Sequence, residues 1–112
     1  MAKRVVITTD TLGRGDARLG HVLMRNFCYS LARNADKPAA VMLMNEGVRL
    51  ACSDSEVLDD LRLLVESGVT LKVCGTCLDY LKLTQALQVG EVGTMPEAVA
   101  ALLGTDEVVT IG

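Results

Sequence analysis

Residues 69–87 read VTLKVCGTCLDYLKLTQAL. Val69 to Val73 is a short apolar and β-branched run, the pattern of a buried strand. Thr76 to Leu87 predicts a helix. Between them, Cys74 to Cys77 form the connecting turn, Cys-Gly-Thr-Cys. The unit is therefore strand, CxxC turn, helix, with Cys74 at or just before a helix N-terminus.

The same alternation continues outward in both directions. Upstream, Ser53 and Glu56 have capping-box spacing and predict a helix start. Its apolar face is Val57, Leu58, Leu61, Leu64 and Val65, and Gly68 suits its C-terminal cap. Ala39 to Met44 predicts a strand, followed by the loop NEGV. Ala17 to Asn34 predicts a helix whose inner face carries Leu19, Val22, Leu23, Phe27 and Leu31. Asp16 is its N-cap, and Arg4 to Thr9 is the first strand. Downstream, Gln88 to Val92 predicts a short strand. Thr94 and Glu97 form a second capping box, with Pro96 in the first turn. That helix ends before Gly104, and Asp106 to Ile111 is the last strand.

Strand and helix alternate throughout, which predicts an α/β fold: a three-layer α/β/α sandwich with a mainly parallel sheet of about five strands. Residues 1–112 read as a single domain. Right-handed crossovers place the strand-to-helix loops at the carboxyl edge, where open α/β sheets bind ligands. Asp10 to Asp16, Asn45 to Val48, Cys74 to Cys77 and Gly90 to Met95 are expected to gather there.

Composition bounds the function. Of 112 residues, 50% are hydrophobic and 22% charged, so the chain is not intrinsically disordered. A net charge of −3 argues against a nucleic-acid partner. Aromatics at 3% argue against a base-stacking platform. No apolar run approaches the ~18 residues of a membrane span, and Met1 to Asp10 has no signal-peptide pattern. A cytoplasmic protein without a membrane partner is expected.

In that setting the four cysteines do not predict a disulfide scaffold. At a helix N-terminus Cys74 is placed for thiolate chemistry, because free N–H groups stabilise negative sulfur. Gly75 lets the backbone approach a bound group, Thr76 completes the turn, and Cys77 is within reach as a resolving thiol. The bland alternative is two small residues packed at a tight turn. A thioredoxin-type dithiol is a competitor, although the usual flanking aromatic and Pro residues are absent. No second ligand pair supports zinc, and no cofactor or metal is predicted. Cys28 reads as packing, Cys52 stands near the carboxyl edge, and His21 reads as an ordinary helix histidine.

Asp10 and Gly13-Arg14-Gly15 follow the first strand. The dinucleotide fingerprint fails because Arg18 stands where its third Gly belongs, and the P-loop pattern fails as well. The segment reads as a tight turn, or as a small anion site of loop amides and Arg14. Asn45 either satisfies its own loop or orients a substrate near Cys74. Glu91 and Glu97 read as solvated or capping, and Met24, Met42 and Met44 as core.

The string CGTCLDYLKL, with DTLGRGDARLG and NEGVRL before it and VGEVGTMPEAV after it, resembles the DsrE/DsrF-like family. Within that family it is most similar to the C-terminal domain of YedF-type proteins. The resemblance covers essentially the whole chain. It implies a compact α/β/α domain, a homo-oligomer, and sulfurtransferase-like chemistry associated with selenium metabolism. By the same resemblance Cys74 is the persulfide carrier, Cys77 is the second motif cysteine, and a TusA-like protein is a donor or acceptor. YedF-type chains carry an N-terminal TusA-like domain, which is not expected here. Leu81, Lys82 and Thr94 depart from the family's usual Tyr, Gly and Asn. The expectation is a sulfur or selenium carrier loaded on Cys74. The alternatives are a dithiol redox protein using Cys74 and Cys77, and a non-catalytic oligomeric binding domain.

Overall fold

In the computed structural model, which describes residues 2–112, the strands are β1 (Lys3–Ile7), β2 (Ala40–Leu43), β3 (Thr70–Cys74), β4 (Glu91–Gly93) and β5 (Glu107–Ile111). All pair in parallel, in the order β4-β3-β2-β1-β5. The helices are α1 (Ala17–Arg33), α2 (Leu58–Glu66), α3 (Gly75–Tyr80) and α4 (Met95–Leu102), with 3₁₀ turns at Asn45–Ala51 and Thr84–Ala86. From β1 to β4 each crossover steps the same way along the sheet. Right-handed connections therefore put α1 to α3 on one face. The last crossover runs back across the whole sheet to β5, so α4 covers the other face. The expected three-layer α/β fold is what forms.

The pleat sorts the side chains between the layers. Val5, Ile7, Val41, Leu43, Leu71 and Val73 join Met24, Cys28, Leu61 and Leu64 in the main core. Arg4, Met42, Thr70, Lys72 and Cys74 point the other way, toward Ala98 and Ala101 of α4. The α4 layer is thin. Val99 is 45% exposed and Leu103 82%.

Local signals held at several element ends. Asp16 Oδ1 accepts the Leu19 N–H at 3.0 Å, capping α1. Thr94 and Glu97 form the reciprocal capping box of α4. Gly68 follows α2 with φ +98, which a side chain would resist.

Other expectations are corrected. The buried face of α1 is Gly20, Met24, Cys28 and Ala32, whereas Leu19, Val22 and Leu23 are exposed. The helical period is right, and Phe27 and Leu31 pack partly buried against the core as expected, but the fully buried stripe lies one position further on. A Cβ on Gly20 would press on the Thr11 side chain at 2.8 Å. Ser53 and Glu56 form no capping box. Ser53 Oγ bonds the Ala86 carbonyl, Glu56 pairs with Arg25, and α2 begins at Leu58. Val65 is 40% exposed.

Helix α3 stops at Tyr80 rather than Leu87. Lys82 takes a left-handed φ of 59, and the Leu83 N–H turns back to the Leu78 carbonyl. The chain then returns to bridge Leu87 against Cys52. Strand β4 consequently starts at Glu91, which leaves Gly90 on the amino side of the strand and only Thr94 onward at the carboxyl edge.

Candidate functional site

Cys74 ends β3 and is the N-cap of α3. Its Sγ accepts the Cys77 N–H at 3.4 Å, closing the first turn. Three residues on, one helical turn brings the second thiol back over the first. Cys77 Sγ lies 2.8 Å from Cys74 Sγ and donates to it. Cys77 Sγ in turn accepts the backbone N–H of Asn45 at 3.1 Å.

The polarity of this relay runs one way: Asn45 N–H to Cys77 sulfur, Cys77 S–H to Cys74 sulfur. Cys74 receives two donors and Cys77 one. Burial and the bond to Cys74 push the Cys77 thiol up from its ordinary value, and the Asn45 N–H pulls partly against that shift. Cys77 is thereby favoured as the protonated partner that donates to Cys74. Both side chains are half-buried and neither is disulfide-bonded.

Asn45 reaches Cys77 because the 3₁₀ turn is clamped onto β1. Its backbone is left-handed, φ 51, and its Oδ1 accepts the Glu46 N–H at 2.9 Å. A Cβ on Gly47 would collide with the Ile7 carbonyl, so only glycine allows this approach. The Met44 N–H bonds the same Ile7 carbonyl at 3.0 Å.

The remaining candidates divide into separate places. Gly75 lies against Val92, where a Cβ would meet the Val92 side chain at 2.9 Å. The space beside Gly75 is thus occupied by β4. Thr76 is exposed in the first turn of α3. Gly13, Arg14 and Gly15 form an exposed loop, and Gly13 is left-handed at φ +93. Asp10 lines another cleft, with Arg18, His21, Arg49 and Glu56. The first loop is therefore not part of the cysteine pair's immediate surroundings. Cys28 and Cys52 are buried at 1% and 2% exposure. Burial first, and then Asp60, push the Cys28 thiol up to about 12. Among the described residues no group of His, Cys, Asp and Glu is arranged to hold a metal.

Sequence reasoning missed the surroundings of Cys74 on the α4 face. There a cavity of about 180 Å³ is lined by Cys74, Met42, Met44, Lys72, Ala98 and Ala101, among others. The available signal was the two-residue alternation of Thr70, Lys72 and Cys74, which puts all three on one side of β3.

The sequence matches the DsrE/DsrF-like family over residues 7–111. The chain belongs to that family. No curated protein matches it significantly. Solved structures with this fold include the YchN protein from E. coli, at 20% identity and a TM-score of 0.71, with 98% of this chain and 99% of that chain covered. A protein of unknown function, MTH1491, from Methanobacterium thermoautotrophicum aligns at 20% identity with a TM-score of 0.68 over the same shares. The protein BT1422 from Bacteroides thetaiotaomicron aligns at 17% identity and 0.59, covering 97% and 94%. For this DsrE/DsrF-like chain, these likenesses establish the fold, and the sulfurs of Cys74 and Cys77 lie 2.8 Å apart at the end of its β3.

Proposed function

We propose that this chain is a sulfur carrier, with selenium as the chemically equivalent cargo, that holds a persulfide on Cys74. The observation that carries this reading is the one-way relay that ends on Cys74, with Cys77 Sγ 2.8 Å away. In loading, the Cys74 thiolate attacks the outer sulfur of a donor persulfide. The donor S–S bond breaks, the donor thiolate leaves with the bonding pair, and Cys74–S–SH forms. In discharge, the Cys77 thiolate attacks Cys74 Sγ. Hydrosulfide leaves, and a Cys74–Cys77 disulfide remains for an external thiol to reduce.

The partners are a TusA-like donor or acceptor and a second copy of this chain. Support for the second copy comes from the apolar side chains left uncovered near α4, where Met95 is 56% exposed and Leu103 82%. Among the described residues no helix is long and apolar enough to cross a membrane, in keeping with a cytoplasmic protein.

The same spacing also favours a second reading, a dithiol redox protein cycling between two thiols and a disulfide. One experiment separates the two. Reduced protein is treated with a polysulfide donor and its intact mass recorded, with Cys74→Ala and Cys77→Ala alongside. Sulfur transfer gives a reducible gain of one sulfur (about 32 Da) in Cys77→Ala and none in Cys74→Ala. A loss of two hydrogens in the unsubstituted protein, with no sulfur gained by Cys77→Ala, establishes the redox reading instead.

A further inference from the structure

Cys74 faces two environments. On the α3 side it receives the Cys77 S–H; on the other it lines the cavity between the sheet and α4. That cavity measures about 180 Å³. A cavity of ~150 Å³ accommodates a benzene-sized molecule, so this one takes a compound of a few heavy atoms. Its lining is chiefly apolar, with Met42 and Met44 from β2 and its end, and Ala98 and Ala101 from α4. Methionine thioethers are soft and adaptable, well suited to packing against another sulfur compound.

The charges around the cavity are already engaged. Lys72 Nζ lies 2.9 Å from Glu91 and 3.4 Å from Glu97. Arg4 Nε lies 3.1 Å from Asp106. A ligand with its own carboxylate or ammonium would have to break one of these pairs or enter unpaired, and burial of an unpaired charge is strongly opposed.

We propose that the α4 cavity is a substrate site for a small persulfide whose organic group is uncharged and aliphatic, delivering its outer sulfur to Cys74. This inference rests on the sulfur-carrier reading and supplies its substrate class. The organic group R packs among Met42, Met44, Ala98 and Ala101, with its S–SH end at Cys74. The Cys74 thiolate attacks the outer sulfur of R–S–SH, the S–S bond breaks while the C–S bond of R stays intact, and R–S⁻ leaves with the electron pair to be protonated by solvent. Among free low-molecular-weight persulfides, bulky ones exceed the volume of this cavity, and charged ones meet Arg4, Lys72 and Glu97 already paired among the described residues.

Selectivity at Cys74 tests this without requiring persulfide chemistry. In Cys77→Ala, where Cys28 and Cys52 are buried, labelling is followed by mass with three methanethiosulfonates: neutral methyl, anionic sulfonatoethyl and cationic trimethylammonioethyl. Each rate is divided by that of the same reagent with free 2-mercaptoethanol at the same pH. The neutral reagent is expected to lead both charged ones by tenfold or more. Ala101→Leu, which fills the cavity, is expected to slow the neutral reagent at least tenfold, while Glu66→Gln, at the exposed end of α2 and outside the cavity lining, preserves its rate. Equal normalised rates, a preference for one sign of charge, or an Ala101→Leu rate unchanged from Ala101 overturns the proposal. Selective labelling without sulfur gain from a small alkyl persulfide leaves the cavity established and removes the carrier reading. Sulfur gain without selectivity does the reverse.

Discussion

Asn45 donates its backbone N–H to Cys77 Sγ at 3.1 Å from a left-handed backbone, φ 51. Two things are thereby fixed at once: the direction of the relay toward Cys74, and the residue types that position 45 accepts. Asparagine enters this region more easily than most residues, and glycine enters it freely.

Asn45→Gly is expected to keep the relay, whereas Asn45→Val should cost about 1–2 kcal/mol in urea unfolding, because a β-branched residue resists positive φ. The Asn45 N–H works against the upward shift of Cys77. Displacing it in Asn45→Val should therefore move the alkylation pH midpoint of Cys77 upward in a Cys74→Ala background. A midpoint that does not move would remove Asn45 from the relay.

Gly47 holds that loop in place from the other side. A Cβ there would run into the Ile7 carbonyl, a backbone atom at the end of β1 that cannot swing away. Gly47→Ala is expected to destabilise by about 1–3 kcal/mol, the usual range for overpacking. It should also loosen Asn45 from Cys77, read as faster amide exchange at Asn45. Gly15→Ala, with no atom within 4 Å of the added carbon, serves as the neutral comparison.

The contrast between these two glycines shows what sequence could convey. The order of strands and helices, and the placement of the CxxC turn after β3, follow from patterns local to each segment. So do the caps at Asp16 and Thr94, whose partners lie three residues away. Gly47 against Ile7, Asn45 against Cys77, and Ala101 over the Cys74 cavity join segments far apart in the chain, and no short-range period encodes them. Helix α1 fails for the same reason. Its 3.6-residue period is visible, yet the choice of Met24, Cys28 and Ala32 over Leu19, Val22 and Leu23 is made by α2 and the sheet. Lys82 ended α3 early through a left-handed φ that lysine does not advertise.

Arg33 and Asp60 tie α1 to α2 at 2.8 Å, and Arg33 also stacks on Tyr29 at 3.7 Å. The two ends of the pair are unequal: Asp60 is 11% exposed, Arg33 43%. Arg33→Ala strands a buried carboxylate and is expected to cost about 1–3 kcal/mol. Asp60→Asn releases a cation that water can solvate, so its cost should be smaller in the same denaturation series. A larger loss in Asp60→Asn would reverse this assignment.

Burial raises Cys28 from 9.0 to about 12. The folded state therefore holds the Cys28 proton over a range in which the unfolded chain releases it. The stability this represents is complete below pH 9 and is lost as pH rises toward 12, with a limiting slope of about 1.4 kcal/mol per pH unit. Cys28→Ala is expected to lose on the order of 1 kcal/mol at neutral pH through the small cavity it leaves. Its unfolding free energy should then decline less steeply than that of the unsubstituted protein above pH 9. Parallel declines would show that Cys28 does not titrate on unfolding.

The raised Cys77 thiol sets the discharge rate of the proposed carrier. Discharge requires Cys77 as thiolate, while burial and the Cys74 contact favour its protonated form. A persulfide on Cys74 should therefore persist at neutral pH and release hydrosulfide faster as pH rises. Below the Cys77 midpoint the thiolate fraction, and with it the rate, grows about tenfold per pH unit. Sulfide released from loaded protein, followed colorimetrically, should approach one equivalent per chain and leave a mass two hydrogens below the reduced form. Cys77→Ala should retain its extra sulfur across the same pH range. Equal release from Cys77→Ala would mean that an external nucleophile, and not the neighbouring thiol 2.8 Å away, discharges Cys74.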